Sequence, residues 1–88
     1  MRRTNINAVL KMAKAYLDGK VSYISFTLDF PYEMAKRYEE MQKEDADYAE
    51  MIYDELLEGG VWKADEMSEE QFKIFFQEKY DDVIQGVW

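Results

Sequence analysis

Cysteine and histidine are both missing from these 88 residues. The first absence excludes disulfides and thiolate metal ligands; the second removes imidazole ligands and the commonest general base. The four glycines form no phosphate-binding loop, so no catalytic constellation is recognisable and no enzymatic activity is expected. No cofactor is expected either. Long hydrophobic runs are lacking too: nothing approaches the ~18 residues of a membrane span. The basic start Met1-Arg2-Arg3 is not followed by a long apolar segment or a small-residue cleavage site, so the expected location is the cytoplasm.

Positive charge is scarce. Eleven cations face nineteen carboxylates, for a net charge of −8, which argues against direct nucleic-acid binding because phosphate backbones require compensating cations. Hydrophobic residues make up 48% of the chain and aromatics 16%, too much for a disordered acidic segment. The length suits one domain with one modest core. No internal repeat or low-complexity segment is visible.

Apolar periodicity predicts an all-α fold, a compact bundle of four to five short helices. Residues 5–18 place Ile6, Val9, Leu10, Ala13, Tyr16 and Leu17 on one face, with Thr4 or Asn5 as the expected cap and Gly19 as the stop. Residues 21–30 fit two patterns. Ile24, Phe26, Leu28 and Phe30 alternate as in a strand, whereas a helix capped by Ser22 gathers Tyr23, Phe26 and Phe30. A lone strand would leave its backbone unpaired, so helix is favoured. Pro31 fits the first turn of a new helix with the stripe Met34, Ala35, Tyr38 and Met41. A further helix is expected over 46–58, stopped by Gly59-Gly60, then a connector over 61–67. Ser68 and Gln71 have the spacing of a capping box for a last helix reaching about Ile84, with Phe72, Phe75, Phe76, Tyr80 and Val83 inward.

Charge is unevenly placed. Residues 1–20 hold five cations and one acid, whereas Glu39 to Glu70 hold thirteen carboxylates and only Lys43 and Lys63. Within that block Asp47, Glu50, Asp54 and Glu58 recur at spacings of three and four, which puts them on one helical face. No lysine or arginine relieves them between Asp45 and Glu58. Two readings fit: a solvated face that keeps an acidic protein dispersed, or an electrostatic dock for a basic partner. The candidate partner-binding residues, chosen by charge position, are Glu44, Asp47, Glu50, Asp54, Glu55, Glu58, Asp65 and Glu66, with Trp62 as an aromatic anchor or a lid over the core. Asp45-Ala46-Asp47 lacks the glycine and loop spacing of a calcium site, so no metal is expected. The cations Arg2, Arg3, Lys11 and Lys14 are read as balancing the acid block or solvated.

The joint Gly19-Lys20-Val21-Ser22-Tyr23, following an opening helix and followed by Phe26, resembles the small helical bacterial immunity proteins of the colicin D and contact-dependent growth inhibition type. The motif covers about a dozen residues. That resemblance implies a helical bundle that neutralises a cognate toxin domain, often a basic ribonuclease, by presenting acids where RNA phosphates would lie. The free protein would be a monomer or weak dimer. The alternatives are an anti-CRISPR or other phage-encoded nucleic-acid mimic, and a helical adaptor or homodimer joined through Trp62 and Trp88.

Overall fold

The computed structural model describes residues 3–85. It is all-α, and among the described residues there is no strand. Four helices, α1 (Thr4–Leu17), α2 (Tyr23–Glu44), α3 (Ala46–Ile52) and α4 (Glu69–Gln85), are joined by a π-helical turn (Tyr53–Glu58) and a 3-10 turn (Val61–Glu66). No helix among the described residues is long and apolar enough to cross a membrane. Arg2 and Trp88 lie outside the described residues, and with them the expectation of a Trp62–Trp88 interface.

α1 ends where its sequence says it should. Gly19 takes φ +81°, its N–H bonds Tyr16 O at 3.0 Å, and the Lys20 N–H reaches back to Ala15 O at 2.9 Å. This pair of bonds satisfies carbonyls the helix would leave open, and the left-handed residue is glycine because no Cβ is in the way. The start of α1 departs from expectation. Neither Thr4 nor Asn5 caps it; Arg3 occupies the cap position without a side-chain cap bond. The cap comes instead from the far end of α2, through Glu44.

α1 and α2 form an antiparallel hairpin with the most extensive contact in the molecule. Ser22 caps α2, accepting the Ser25 N–H at 3.1 Å, and residues 23–30 are helical, as favoured. Pro31 does not begin a new helix; α2 runs through it for 22 residues. The expected break is overridden by packing. Phe26, Phe30, Met34 and Met41 are all fully buried along one stripe, and a break at Pro31 would misalign its two halves. A proline inside a helix costs about 3 kcal/mol. Burial of one large apolar side chain returns about 1.5–3 kcal/mol, so two or three such residues outweigh it. Ala35, expected inward, is exposed.

The helix expected over 46–58 is regular only to Ile52; its second half is a π-turn. The Gly59 N–H bonds Asp54 O at 2.7 Å, the i to i−5 bond of that wider turn. The widening lets both Leu56 and Leu57 bury beneath Ile52. Gly60 then folds back so closely that a Cβ there would stand 2.3 Å from the Leu56 carbonyl oxygen. In the 3-10 turn, residues three apart eclipse. Val61 and Ala64 therefore point in together, leaving Trp62 with Asp65 and Lys63 with Glu66 outside. The capping box forms as expected: Ser68 Oγ accepts the Gln71 N–H at 3.1 Å, and Gln71 Oε1 accepts the Ser68 N–H at 3.2 Å.

The core contains a cluster of five aromatic rings, Tyr16, Phe26, Phe30, Phe72 and Phe76, among aliphatic residues. Tyr16 stacks flat on Phe26 (4.5 Å, 6°), and Phe76 meets Phe26 edge-on at 5.2 Å. Phe72 stacks on Phe76 at 5.4 Å, while Phe75 and Tyr80 are only half-buried. The Tyr48 hydroxyl donates to Val83 O at 2.8 Å and ties α3 to α4.

Candidate functional site

Two groups within the acidic block have different surroundings. The first is engaged inside the fold. Glu44 Oε2 accepts the Asn5 N–H at 2.8 Å and the Asn5 side-chain amide at 2.9 Å, while Oε1 accepts the Ile6 N–H at 2.9 Å. Those N–H groups are unsatisfied donors of the α1 N-terminus, where the helix dipole also favours an anion. Arg37 extends the network, donating to Asn5 Oδ1 at 2.9 Å and to Glu33 at 3.0 Å. Burial pushes the Glu44 carboxyl up, but the Ile6 and Asn5 donors and the Arg3 charge outweigh it and hold the pKa below its ordinary value.

Asp45 is engaged as well. It caps α3 by accepting the Tyr48 N–H at 3.2 Å and pairs with Arg3, whose guanidinium lies 5.0 Å from the Tyr48 ring centroid. Arg3 thus balances the block, as the sequence suggested. Glu40 pairs with Lys43 and Glu55 with Lys79, each at 3.3 Å.

The second group is Asp47, Glu50, Asp54 and Glu58. All four are exposed, and among the described residues none has an ion-pair partner. Asp47 sits in the first turn of α3, where the helix dipole favours it. Asp47, Glu50, Met51, Asp54 and Glu55 line a shallow open depression of about 340 Å³.

An aromatic strip borders these acids. Tyr38 of α2 packs against Tyr53 at 4.8 Å, and Tyr53 meets Trp62 edge-on at 6.3 Å. Trp62 is 52% exposed, so part of its indole is open to solvent while it rests edge-on against Tyr53. Burial raises the Tyr38 pKa first, and Glu50, Asp54, Tyr53 and Glu58 add to the rise. One phenol thus feels three of the four face carboxylates.

Asp47, Glu50, Asp54 and Glu55 share the depression, Glu58 joins Glu50 and Asp54 in acting on the Tyr38 phenol, and Trp62 meets the strip at Tyr53. Asp65 shares the outer side of the 3-10 turn with Trp62. Glu66 shares the next position around with Lys63, and Glu44 is spent on α1. Sequence reasoning missed Tyr38 as a member of the strip. Its spacing marks it as a core residue of α2, and only the packing of α2 on the π-turn reveals its ring partner. Among the described residues no group of carboxylates is arranged to hold a metal ion.

Comparison with protein-family models, with curated proteins and with solved structures finds no match for this chain.

Proposed function

We propose that this chain is a non-enzymatic protein inhibitor of the immunity type, which binds a basic nuclease toxin domain through the Asp47–Glu50–Asp54–Glu58 face and its aromatic border. The observation that carries the reading is a run of four exposed carboxylates with no ion-pair partner among the described residues, bordered by an aromatic strip that ends in a half-exposed tryptophan. Like charges one helical turn apart repel by a few tenths of a kcal/mol per pair, about 0.2–0.5. Among the described residues no cation forms an ion pair with these four, whereas lysines or arginines of a partner would offset the repulsion.

The mechanism is occlusion. Carboxylates accept paired hydrogen bonds from arginine and lysine much as phosphate oxygens do, so the face stands in for the nucleic acid and competes with it. Trp62, braced by Tyr53, supplies the apolar centre from which water is expelled on docking. The net charge of −8 also speeds encounter with a basic partner at low salt. The inhibitor would act in the cytoplasm, where such a toxin meets its RNA.

The test begins with capture. The tagged chain is used to isolate its partner from the native host, and the partner's catalytic domain is then expressed alone. One-to-one loss of the domain's nuclease activity on adding the chain is the expected result. A captured partner with no nucleic-acid-processing activity overturns the reading. Capture of a large phage-targeted effector complex would favour the nucleic-acid-mimic alternative instead.

A further inference from the structure

Three of the large apolar side chains left exposed stand in one row on α2. Ile24 and Leu28 are each 69% exposed and Tyr32 66%, at a spacing of four residues, and Ala35, also exposed, continues the row. Residues three and four apart lie one above the other on a helix, so the row runs unbroken for about 16 Å. It occupies the side of α2 away from Phe26, Phe30, Met34 and Met41, which are fully buried. α2 has 22 residues and is about 33 Å long at 1.5 Å per residue. The molecule measures 37 × 24 × 20 Å, so this helix spans its longest dimension and offers the row on an open side. Exposed apolar residues scattered singly are ordinary, whereas a continuous patch marks an interaction surface.

The charges beside the row complement themselves. Asp29 and Lys36 are exposed and seven residues apart, which puts them on the same flank of the row but two turns from each other. Neither has an ion-pair partner among the described residues, and the same holds for Lys20 before the row and Glu39 after it. Two α2 helices laid antiparallel, with the two-fold axis near Pro31, set the same flank of each against the other. Asp29 then meets Lys36 of the second copy and Lys36 meets its Asp29, while Lys20 approaches its Glu39. In that register Leu28 enters the gap between Tyr32 and Ala35 of the second copy, as a knob enters a hole. A parallel arrangement would instead set Glu39 against Glu39. The four charges sum to zero in a chain of net charge −8, so two copies approach here without the repulsion the acid face would impose.

We propose that the outer face of α2 is a self-association surface, on which a second copy of this chain packs its own α2 antiparallel through Ile24, Leu28, Tyr32 and Ala35, held in register by reciprocal Asp29–Lys36 pairs. One helix face on each side makes a small interface, below about 1,200 Å² in all, so the dimer is weak and reversible. The surface uses no residue of the acid face and does not depend on the inhibitor reading.

The test is sedimentation equilibrium of the purified chain from about 20 μM to about 1 mM, a range that brackets the dissociation constant of about 100 μM expected of so small an interface. A reversible monomer–dimer equilibrium is the expected result, with amide NMR shifts on dilution concentrated at Ile24, Leu28, Tyr32 and Lys36. Leu28→Gln, at an exposed position where folding is not at risk, should weaken the dimer about tenfold and leave helicity and melting temperature unchanged. Asp29→Lys and Lys36→Asp should each weaken it, because each sets like charges against one another. An equimolar mixture of those two variants should dimerise as well as wild type, since each then supplies the charge the other needs. Trp62→Ala and Ile74→Gln should leave the equilibrium as it is. A chain still monomeric at about 1 mM, ten times the expected dissociation constant, overturns the proposal. So does a dimer that Leu28→Gln leaves intact, one that Trp62→Ala abolishes, or a mixture of the two charge variants that associates no better than either alone.

Discussion

Glu44 and Asp54 belong to one acidic stretch and end in opposite circumstances. Glu44 accepts three hydrogen bonds at the start of α1 and holds the two ends of the α1–α2 hairpin together. Asp54 is exposed, with no ion-pair partner among the described residues. Density of charge along a chain therefore does not define a surface; the partners the fold supplies do. Carboxylates that found donors inside the protein serve its stability. Those that found none are available to another molecule.

The contrast can be broken by mutation, and the largest effect should be at Glu44. Glu44→Ala leaves helix N–H donors uncapped and removes charge-assisted bonds, so stability should fall by about 2 kcal/mol. For a domain of this size that is roughly a 10 °C drop in melting temperature by calorimetry. An unchanged melting temperature would mean that the network does not hold the hairpin.

The same bonds set a pH dependence. The folded pKa of Glu44 is lowered, so its contribution is complete above the ordinary value near 4.5 and is lost as pH falls through the folded value. In urea titrations the stability gap between wild type and Glu44→Gln should be constant near neutrality and close below about pH 4.5. A gap that persists in acid would show that geometry rather than charge is responsible.

On the other side of the contrast, changes should be small or of opposite sign. Trp62 is half-exposed, and Trp62→Ala should cost no more than about 1 kcal/mol while weakening partner binding. The triple change Glu50→Gln, Asp54→Asn and Glu58→Gln should stabilise the fold by about 0.5 kcal/mol at low ionic strength, a gain that high salt removes. Destabilisation by that triple change would place these acids with Glu44.

Much of the fold was readable because its signals are local. The Ser68–Gln71 box, the Gly19 stop, the Ser22 cap and the apolar stripe of α1 each lie within one turn of the residues they govern. What escaped depends on distant partners. Pro31 stays helical because Phe26, Phe30 and Met34 must bury in one line against α1 and α4. The π-turn arises because both Leu56 and Leu57 have to reach the core. Glu44 caps a helix near the other end of the sequence, which no spacing rule reports. The site divides the same way. Spacing marked Asp47, Glu50, Asp54 and Glu58 as one group on the assumption of a regular helix, which the π-turn over Tyr53–Glu58 replaces, and the Tyr38–Tyr53–Trp62 strip is assembled from three elements and appears only when they pack.

The most direct test of the account is the affinity of the purified chain for its captured partner domain across a range of salt, with wild type beside Asp47→Lys/Glu50→Lys/Asp54→Lys/Glu58→Lys. Wild-type binding should weaken steadily as salt rises, and the reversed protein, still fully helical, should lose most of its affinity and most of its salt dependence. Equal affinity and equal salt dependence for the two proteins would contradict it.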